Sequence, residues 1–335
     1  MTEMLVTIVV DALGGDFAPD VVLQGVDAAL AADQHVSVIL TGPQDVVEPF
    51  AATRTRVRAV STTEFIDMGD HPANAVRGKK DSSIVVGCKL VKDGEAQGFF
   101  SAGNTGACMA AATLVMGRIP GVSRPAIATV IPTGERPGVL LDIGANADCK
   151  PENLVQFAHM GRAYAQVVLG VAEPSVALLN IGEEPTKGSI LAQEAHELMA
   201  AEVPGFVGNV EGRDIPTGTV DVIVTDGFTG NVALKLLEGL AKTLLGQIKA
   251  AMTSSAIRSL AAAVLKAPLM DIKERINPDK YGGAPLLGVR GACVIGHGSS
   301  SARAVAAGIG VAAQAVRGGL TEKIAAAVTR PASSD

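Results

Sequence analysis

Four stretches of this chain share one build: an apolar run that breaks into glycine, asparagine and aspartate just before a helical pattern begins. They cover residues 99–107, 139–148, 177–184 and 222–231. Glycine lets the backbone turn sharply with φ > 0 and leaves bare amides within reach of a ligand. A helix behind such a turn aims unpaired N–H groups at an anion such as phosphate. One turn of this kind reads equally well as a plain strand-to-helix connection. Four of them, on strands of a parallel sheet, are expected to share one carboxyl edge, where ligands of α/β folds bind. The chemistry expected is therefore anion binding. A covalent nucleophile would be Ser101 or Cys149, but neither has a neighbouring histidine in sequence. The chain holds no Gly-x-Ser-x-Gly elbow, no Gly-x-x-x-x-Gly-Lys-Ser/Thr loop and no His-Glu-x-x-His. Leu13-Gly14-Gly15-Asp16 is not a dinucleotide fingerprint either.

Holding four such loops requires an α/β frame, and the hydrophobic pattern supplies one. Residues 5–10 form a continuous β-branched and aliphatic run, as in a strand buried on both faces. It ends in a Gly/Asp turn, and Pro19 starts a helix to about residue 32. Further strands are expected at 36–40, 57–60, 126–131 and 292–296. Residues 71–91 read as one long helix or two short ones divided at Ser82-Ser83, and 107–116 as another helix. Pro151 opens a helix to 169, and Lys187-Gly188-Ser189 leads into one ending near 201. This alternation predicts α/β class: a doubly wound, mostly parallel sheet flanked by helices. From 231 to 273 the pattern stays helical much longer, interrupted at Thr253-Ser254-Ser255 and bent at Pro268. Two antiparallel helices projecting as an arm, about 232–281, account for it. No Pro/Ser-rich linker divides the chain, so 1–335 reads as a single α/β domain with that arm and a variable tail at about 321–335.

Hydrophobic residues make up 48% and charged residues 19%, which marks a globular chain. A net charge of -6 excludes a general nucleic-acid binder, which needs a basic surface. Cys88, Cys108, Cys149 and Cys293 are far apart and lie in or beside apolar runs, as free thiols of a reducing cytoplasm do. The first residues lack the basic start of a signal peptide, and no apolar run reaches the roughly 18 residues that a membrane span needs. A cytoplasmic location follows as the expectation.

Taken in order, the motifs closely resemble one family, the fatty acyl–acyl-carrier-protein:phosphate acyltransferases of bacterial phospholipid synthesis. The matching pieces are Asp11-Ala12-Leu13-Gly14-Gly15-Asp16, Lys79-Lys80-Asp81-Ser82-Ser83 and Ser101-Ala102-Gly103-Asn104-Thr105-Gly106-Ala107. They continue with Asp142-Ile143-Gly144-Ala145-Asn146-Ala147-Asp148-Cys149-Lys150-Pro151-Glu152 and Asn180-Ile181-Gly182-Glu183-Glu184-Pro185-Thr186-Lys187-Gly188. Asp226-Gly227-Phe228-Thr229-Gly230-Asn231 and His297-Gly298-Ser299-Ser300 complete the set, so the resemblance runs from about residue 5 to about 318. It implies a fold like that of phosphate acetyltransferase and isopropylmalate dehydrogenase, a homodimer, and no cofactor or metal. It also implies transfer of a long acyl chain from acyl carrier protein to inorganic phosphate. The acyl phosphate would feed a membrane glycerol-phosphate acyltransferase.

Such a reaction makes phosphate the nucleophile, so the protein has to hold a dianion against a thioester carbonyl and supply donors for the oxyanion. A thiolate with a reference pKa of about 8.5 leaves readily. Within that resemblance Lys187 is the leading catalytic candidate, as a compact charge after an Asn-Ile-Gly-Glu-Glu turn; its alternative is an exposed lysine at a helix start. Asn231 would donate an amide to the oxyanion or serve as a plain N-cap. Asn104 is the third catalytic candidate. Ser101, Gly103, Thr105, Gly106, Lys79, Lys80, Gly182, Gly230 and His297 are candidates for substrate or phosphate binding, with a structural hydrogen bond the alternative for His297. Lys79 and Lys80 would otherwise meet the acidic carrier. Asp11, Asp16, Asp142, Asn146, Asp148, Asn180 and Asp226 are expected to hold the loops.

Two other functions fit the same residues: a phosphate acetyl- or butyryltransferase using acyl-coenzyme A, and a non-catalytic scaffold that docks a carrier protein. In the arm, Ile257, Leu260, Ala261, Val264, Leu265, Leu269, Ile272 and Ile276 recur at helical spacing, flanked by Arg258, Lys266, Lys273 and Arg275. That stripe would lie on an anionic membrane surface or pack into a dimer partner.

Overall fold

The computed structural model describes residues 4–133, 136–275 and 277–329, without the side chains of Ala261, Lys273, Arg275 and Pro278. Its strands are β1 (Val6–Asp11), β2 (Val36–Gly42), β3 (Val57–Ser61), β4 (Gly98–Ser101), β5 (Ala126–Ile131), β6 (Gly138–Leu141), β7 (Val176–Leu179), β8 (Phe206–Val210), β9 (Val222–Val224), β10 (Ala284–Leu287) and β11 (Ala292–Ile295). They join in one 11-stranded sheet of order β3-β2-β1-β4-β11-β10-β5-β6-β9-β7-β8. The strands alternate between two cores. Ile8 and Val10 face the layer of helices Asp20–Ala32, Pro151–Val168 and Ala302–Arg317, while Val9 and Phe99 face the layer of Ser83–Lys92 and Thr105–Ala111. Burying both faces explains why the strands read as unbroken apolar runs. The expected doubly wound, mostly parallel α/β architecture is what the sheet shows.

Strand direction is not uniform. β10 runs antiparallel to both β11 and β5, and β5 runs antiparallel to β6. β6, β9, β7 and β8 therefore run opposite to β1, β4 and β11. Register confirms the consequence: the amino end of β5 (Ala126) pairs with Leu287, and its neighbour Ile127 receives the chain just past β6, as Ile143 N–H donates to Ile127 carbonyl at 3.0 Å. This corrects the expectation of one shared edge. The 101–107 loop lies at one edge, and the loops after β6, β7 and β9 lie at the other.

Residues 71–91 form two helices, Pro72–Gly78 and Ser83–Lys92, the second of the two expected arrangements. The arm starts with the 26-residue helix Gly227–Met252, whose first turns pack Ala233, Leu234 and Leu237 onto the sheet. Beyond them Leu240, Leu244 and Ile248 are exposed. Helices Ala256–Val264 and Lys266–Arg275 return. The break falls at Leu265 rather than at Pro268, which sits in the first turn of the following helix, where its missing N–H costs nothing. Ile257, Leu260 and Val264 are 83%, 75% and 81% exposed. Ile276 and the side chains of Ala261, Lys273 and Arg275 lie outside the described residues, as does the chain after 329. The stretch expected to be a variable tail overlaps a helix, Leu320–Val328, that buries Leu320 and Ile324 in the core.

Candidate active site

At the first edge, the loops after β1, β4 and β11 lock onto one another. Asp11 is buried and accepts from Ser101 Oγ at 2.7 Å and from Leu13 N–H at 3.0 Å. Burial pushes its carboxyl above the ordinary value, and bonds from Ser83, Ser101 and Leu13 oppose that. Asp16 N–H donates to the Gly298 carbonyl at 2.7 Å. Ser101 is fully buried and its Oγ accepts Gly103 N–H, so it is not a free phosphate donor or a nucleophile. Asn104 caps the Thr105–Ala111 helix by accepting Ala107 N–H, and its Nδ2 donates to the carbonyls of Asp67, Met68 and Asp70. An amide so engaged anchors the 67–70 loop. Lys79 pairs with Asp70 at 2.6 Å, and that bond holds Asp70 below the ordinary carboxylate range.

The glycines here serve packing. Gly103 does not adopt positive φ, and a Cβ at Gly106 would meet Pro72 Cγ at 2.5 Å, where phosphate was expected to approach. Thr105 and Lys80 are exposed. His297, also exposed, accepts Ser299 N–H at Nδ1 (3.1 Å), so its neutral ring carries its hydrogen on Nε2.

The second edge is built differently. Asp142 is buried and accepts the N–H groups of Ile127, Gly144, Ala145 and Asn146 as well as Asn146 Nδ2. Asp226 caps the Gly227–Met252 helix through Thr229 N–H and Thr229 Oγ1, at 2.9 and 2.7 Å. Asn231 is therefore not the N-cap. It lies one turn inside the helix, exposed, beside Gly144, and among the described residues its amide has no hydrogen-bond partner. Gly230 permits this closeness, because a Cβ there would collide with the Asp142 carbonyl. Asp148 contributes only its carbonyl, which accepts from Arg124 Nη1 at 3.3 Å.

The 180–188 loop follows β7, and β9 is β7's neighbour on the β6 side, so Lys187 and Asn231 share this edge. Three side-chain amides, one from the loop itself, one from β8 and one from the helix Ile190–Glu202, fasten the loop's carbonyls. Asn180 Nδ2 donates to Lys187, Asn209 Nδ2 to Glu184, and Gln193 Nε2 to Thr186 and Gly188. Gly188, at φ 92°, leaves room for Asn180 Oδ1, and buried Gly182 lies under Lys187 Cγ at what would be 3.0 Å from a Cβ. The Lys187 ammonium is exposed and, among the described residues, unpaired. Asn209 and Gln193 escaped the sequence reading because neither belongs to a glycine turn; the only signal was a polar residue, Asn209, on an apolar strand. Cys149 is half-buried, its Sγ set against the Asn146 carbonyl at 3.5 Å, and burial pushes its thiol up to about 11. An exposed cation and a free amide on fastened loops can polarise a carbonyl and hold an anion.

A mixed sheet whose two halves run in opposite directions around an antiparallel centre is the fold of the phosphotransacetylases. A phosphotransacetylase from Streptococcus pyogenes matches with a TM-score of 0.61 at 18% identity, over 92% of this chain and 94% of that one. A branched-chain phosphotransacylase from Enterococcus faecalis matches with a TM-score of 0.61 at 16% identity, over 93% and 99%. The chain belongs to the family described as "Fatty acid synthesis protein", whose family model matches residues 6–323. It is 47% identical over 338 residues to a phosphate acyltransferase from Acidobacterium capsulatum, covering 99% of both chains. It is 49% identical over 315 residues to one from Heliobacterium modesticaldum, covering 92% of this chain and 94% of the relative.

Proposed function

We propose that the protein transfers a long-chain fatty acyl group from acyl carrier protein to inorganic phosphate. Phosphate oxygen attacks the thioester carbonyl, the C–S bond breaks, and acyl phosphate and the carrier thiolate leave. The observation that carries this is the near full-length identity to phosphate acyltransferases. The site agrees, since Ser101 is buried on Asp11 and Cys149 is held as a thiol, leaving phosphate itself as the nucleophile. Lys187 would neutralise charge on phosphate or on the carbonyl oxygen, and Asn231 would donate to the oxyanion.

Trapping acyl phosphate with hydroxylamine, using matched carrier-protein and coenzyme A thioesters, tests the proposal. Long-chain hydroxamate formed from the carrier thioester and dependent on phosphate is expected. A preference for short coenzyme A esters would make it a phosphate acetyl- or butyryltransferase, and no hydroxamate at all would leave a docking scaffold. Lys187→Ala should cut turnover about 10²–10³-fold, the usual cost of one such electrostatic contact.

The same proposal takes the chain as one α/β domain acting as a homodimer at the cytoplasmic membrane surface, passing acyl phosphate to a membrane acyltransferase. Its support is the exposed apolar stripe of the arm. No helix among the described residues is long and apolar enough to cross a membrane. Leu260→Glu, with vesicle flotation and sedimentation read together, separates membrane contact from dimer packing.

A further inference from the structure

The loops expected to cradle phosphate have few amides left to give. Gly144, Ala145 and Asn146 donate theirs to Asp142, Gly103 to Ser101, and Ala107 to Asn104. With these amides engaged, side-chain donors are the groups to look for around an anion. Unengaged donors converge at a cavity of about 250 Å³ in which the helix running back from the first edge meets the loop after β6. Arg118 and Arg124 line it, with Thr113 and Met109 on one side and Ala145 and Asn146 on the other.

Each arginine is tied by Nη1 to one backbone carbonyl, Arg118 to Ser123 and Arg124 to Asp148. Among the described residues neither guanidinium pairs with a carboxylate, and Thr113 Oγ1 has no partner. Thr113 lies in the π-helical turn Ala112–Met116, a widening of the helix that recurs at functional sites. Two fork-shaped cations beside a free hydroxyl suit the tetrahedral oxygens of a phosphoryl group. The wall formed by Ala145 and Asn146 continues into Gly144, which abuts Asn231. The cavity thus adjoins Asn231 across a single loop.

We propose that this cavity is the phosphoryl subsite of the acyl-transfer site, with Arg118 and Arg124 gripping the anion and Thr113 donating a third hydrogen bond. This deepens the acyltransferase assignment and rests on it for the reaction, though not for the binding. The phosphoryl group is either inorganic phosphate or the phosphodiester of the carrier's pantetheine arm, and both present the same oxygens.

The test uses the full-length chain with Arg118→Gln, Arg124→Gln and Thr113→Val, each first checked for a wild-type melting temperature. Inorganic phosphate binding is followed by phosphorus NMR line broadening, which needs no turnover. KM is then measured for phosphate and for thioesters with and without a phosphodiester, namely acyl-phosphopantetheine and acyl-N-acetylcysteamine. Each arginine variant should weaken its anion about tenfold to a hundredfold, and Thr113→Val about threefold to tenfold. A change confined to phosphate identifies inorganic phosphate as the occupant. A change confined to the phosphopantetheine donor, with N-acetylcysteamine unaffected, identifies the arm. Unchanged phosphate binding together with unchanged KM for every substrate in the folded variants overturns the subsite. If the arginine variants do not fold, the Thr113→Val result decides alone. If wild-type protein binds phosphate through these residues and forms no hydroxamate, the subsite stands and the proposed reaction fails.

Discussion

Replacing Asp142 with asparagine would show how far the second edge depends on one carboxylate. Oδ1 accepts from Ile127, Gly144 and Ala145 at 3.1, 3.1 and 2.9 Å, and Oδ2 accepts from the backbone and side chain of Asn146 at 2.7 and 2.8 Å. Burial pushes this carboxyl up, and the donors pull it back. Asparagine keeps one acceptor oxygen. Placed at Oδ1 it preserves three bonds without charge, but its NH₂ then faces the two Asn146 donors. Hydrogen bonds to a charged group contribute about 1.5–3 kcal/mol each, so losing two costs about 3–6 kcal/mol. Removing a buried charge returns part of that, which leaves a net loss of about 2–4 kcal/mol. For a chain of this size that lowers the melting temperature by roughly 4–10 °C. Turnover should fall as well, because Gly227 N–H bonds to the Asn146 carbonyl at 2.8 Å and Gly230 packs on the Asp142 carbonyl, together fixing where Asn231 starts. Thermal melts at pH 7 and hydroxamate yield measure the two effects. A variant that melts and turns over like wild type would refute the claim that this carboxylate organises the loop.

Three further outcomes are expected. Asn209→Ala removes the side-chain donor from the Glu184 carbonyl, so turnover should drop about tenfold to a hundredfold through misplacement of Lys187; steady-state kinetics beside Lys187→Ala check whether the two losses overlap. Cys149→Ser should keep turnover within about twofold, since a thiol pushed up to about 11 is only about one part in ten thousand thiolate at pH 7; iodoacetamide insensitivity of wild type gives a second reading. Arg317→Ala removes the bond, 2.7 Å long, that chiefly lowers the Asp33 pKa from 3.8. With the folded value depressed, the pair's contribution is present above 3.8 and is lost as pH falls through the lower folded value. Urea melts should therefore show a gap of about 1 kcal/mol at pH 7 that narrows as pH falls below 3.8.

Much of the frame was legible because strands buried on both faces write themselves as continuous apolar runs. Residues 126–131 of β5 come directly from that signal, and β1 and β2 were located by it with ends one or two residues off. β8 did not stand out, since Phe206–Val210 lies at the sheet edge and Gly208 and Asn209 interrupt its apolar run. β10 did not either, because Pro285 argues against a central strand. The reversal at β10, β5 and β6 depends on pairing between distant segments, which no local pattern encodes. Sequence therefore placed all four loops along one edge, where the sheet divides them, three at one edge and the 101–107 loop at the other.

The same limit applies within the loops. The opening stretch from Ser101 to Ala107 and the stretch from Asn180 to Gly188 look alike as sequence, yet their polar groups meet different fates. In the first, Ser101, Gly103 and Asn104 find partners within the protein. In the second, Asn180 within the loop and Gln193 and Asn209 outside it take up its carbonyls, while the Lys187 ammonium remains unpaired among the described residues. A buried polar group that is already bonded stabilises the fold and has little left to give a substrate. A charge held in place by a satisfied backbone, and itself unsatisfied, needs no reorganisation when a substrate arrives. On that criterion the motif at the first edge is a clasp joining β1, β4 and β11, and it is the second edge that we propose for the reacting groups. Among the described residues Lys187 and Asn231 keep unpaired side-chain donors there, and Arg118 and Arg124 each use only Nη1 on a backbone carbonyl.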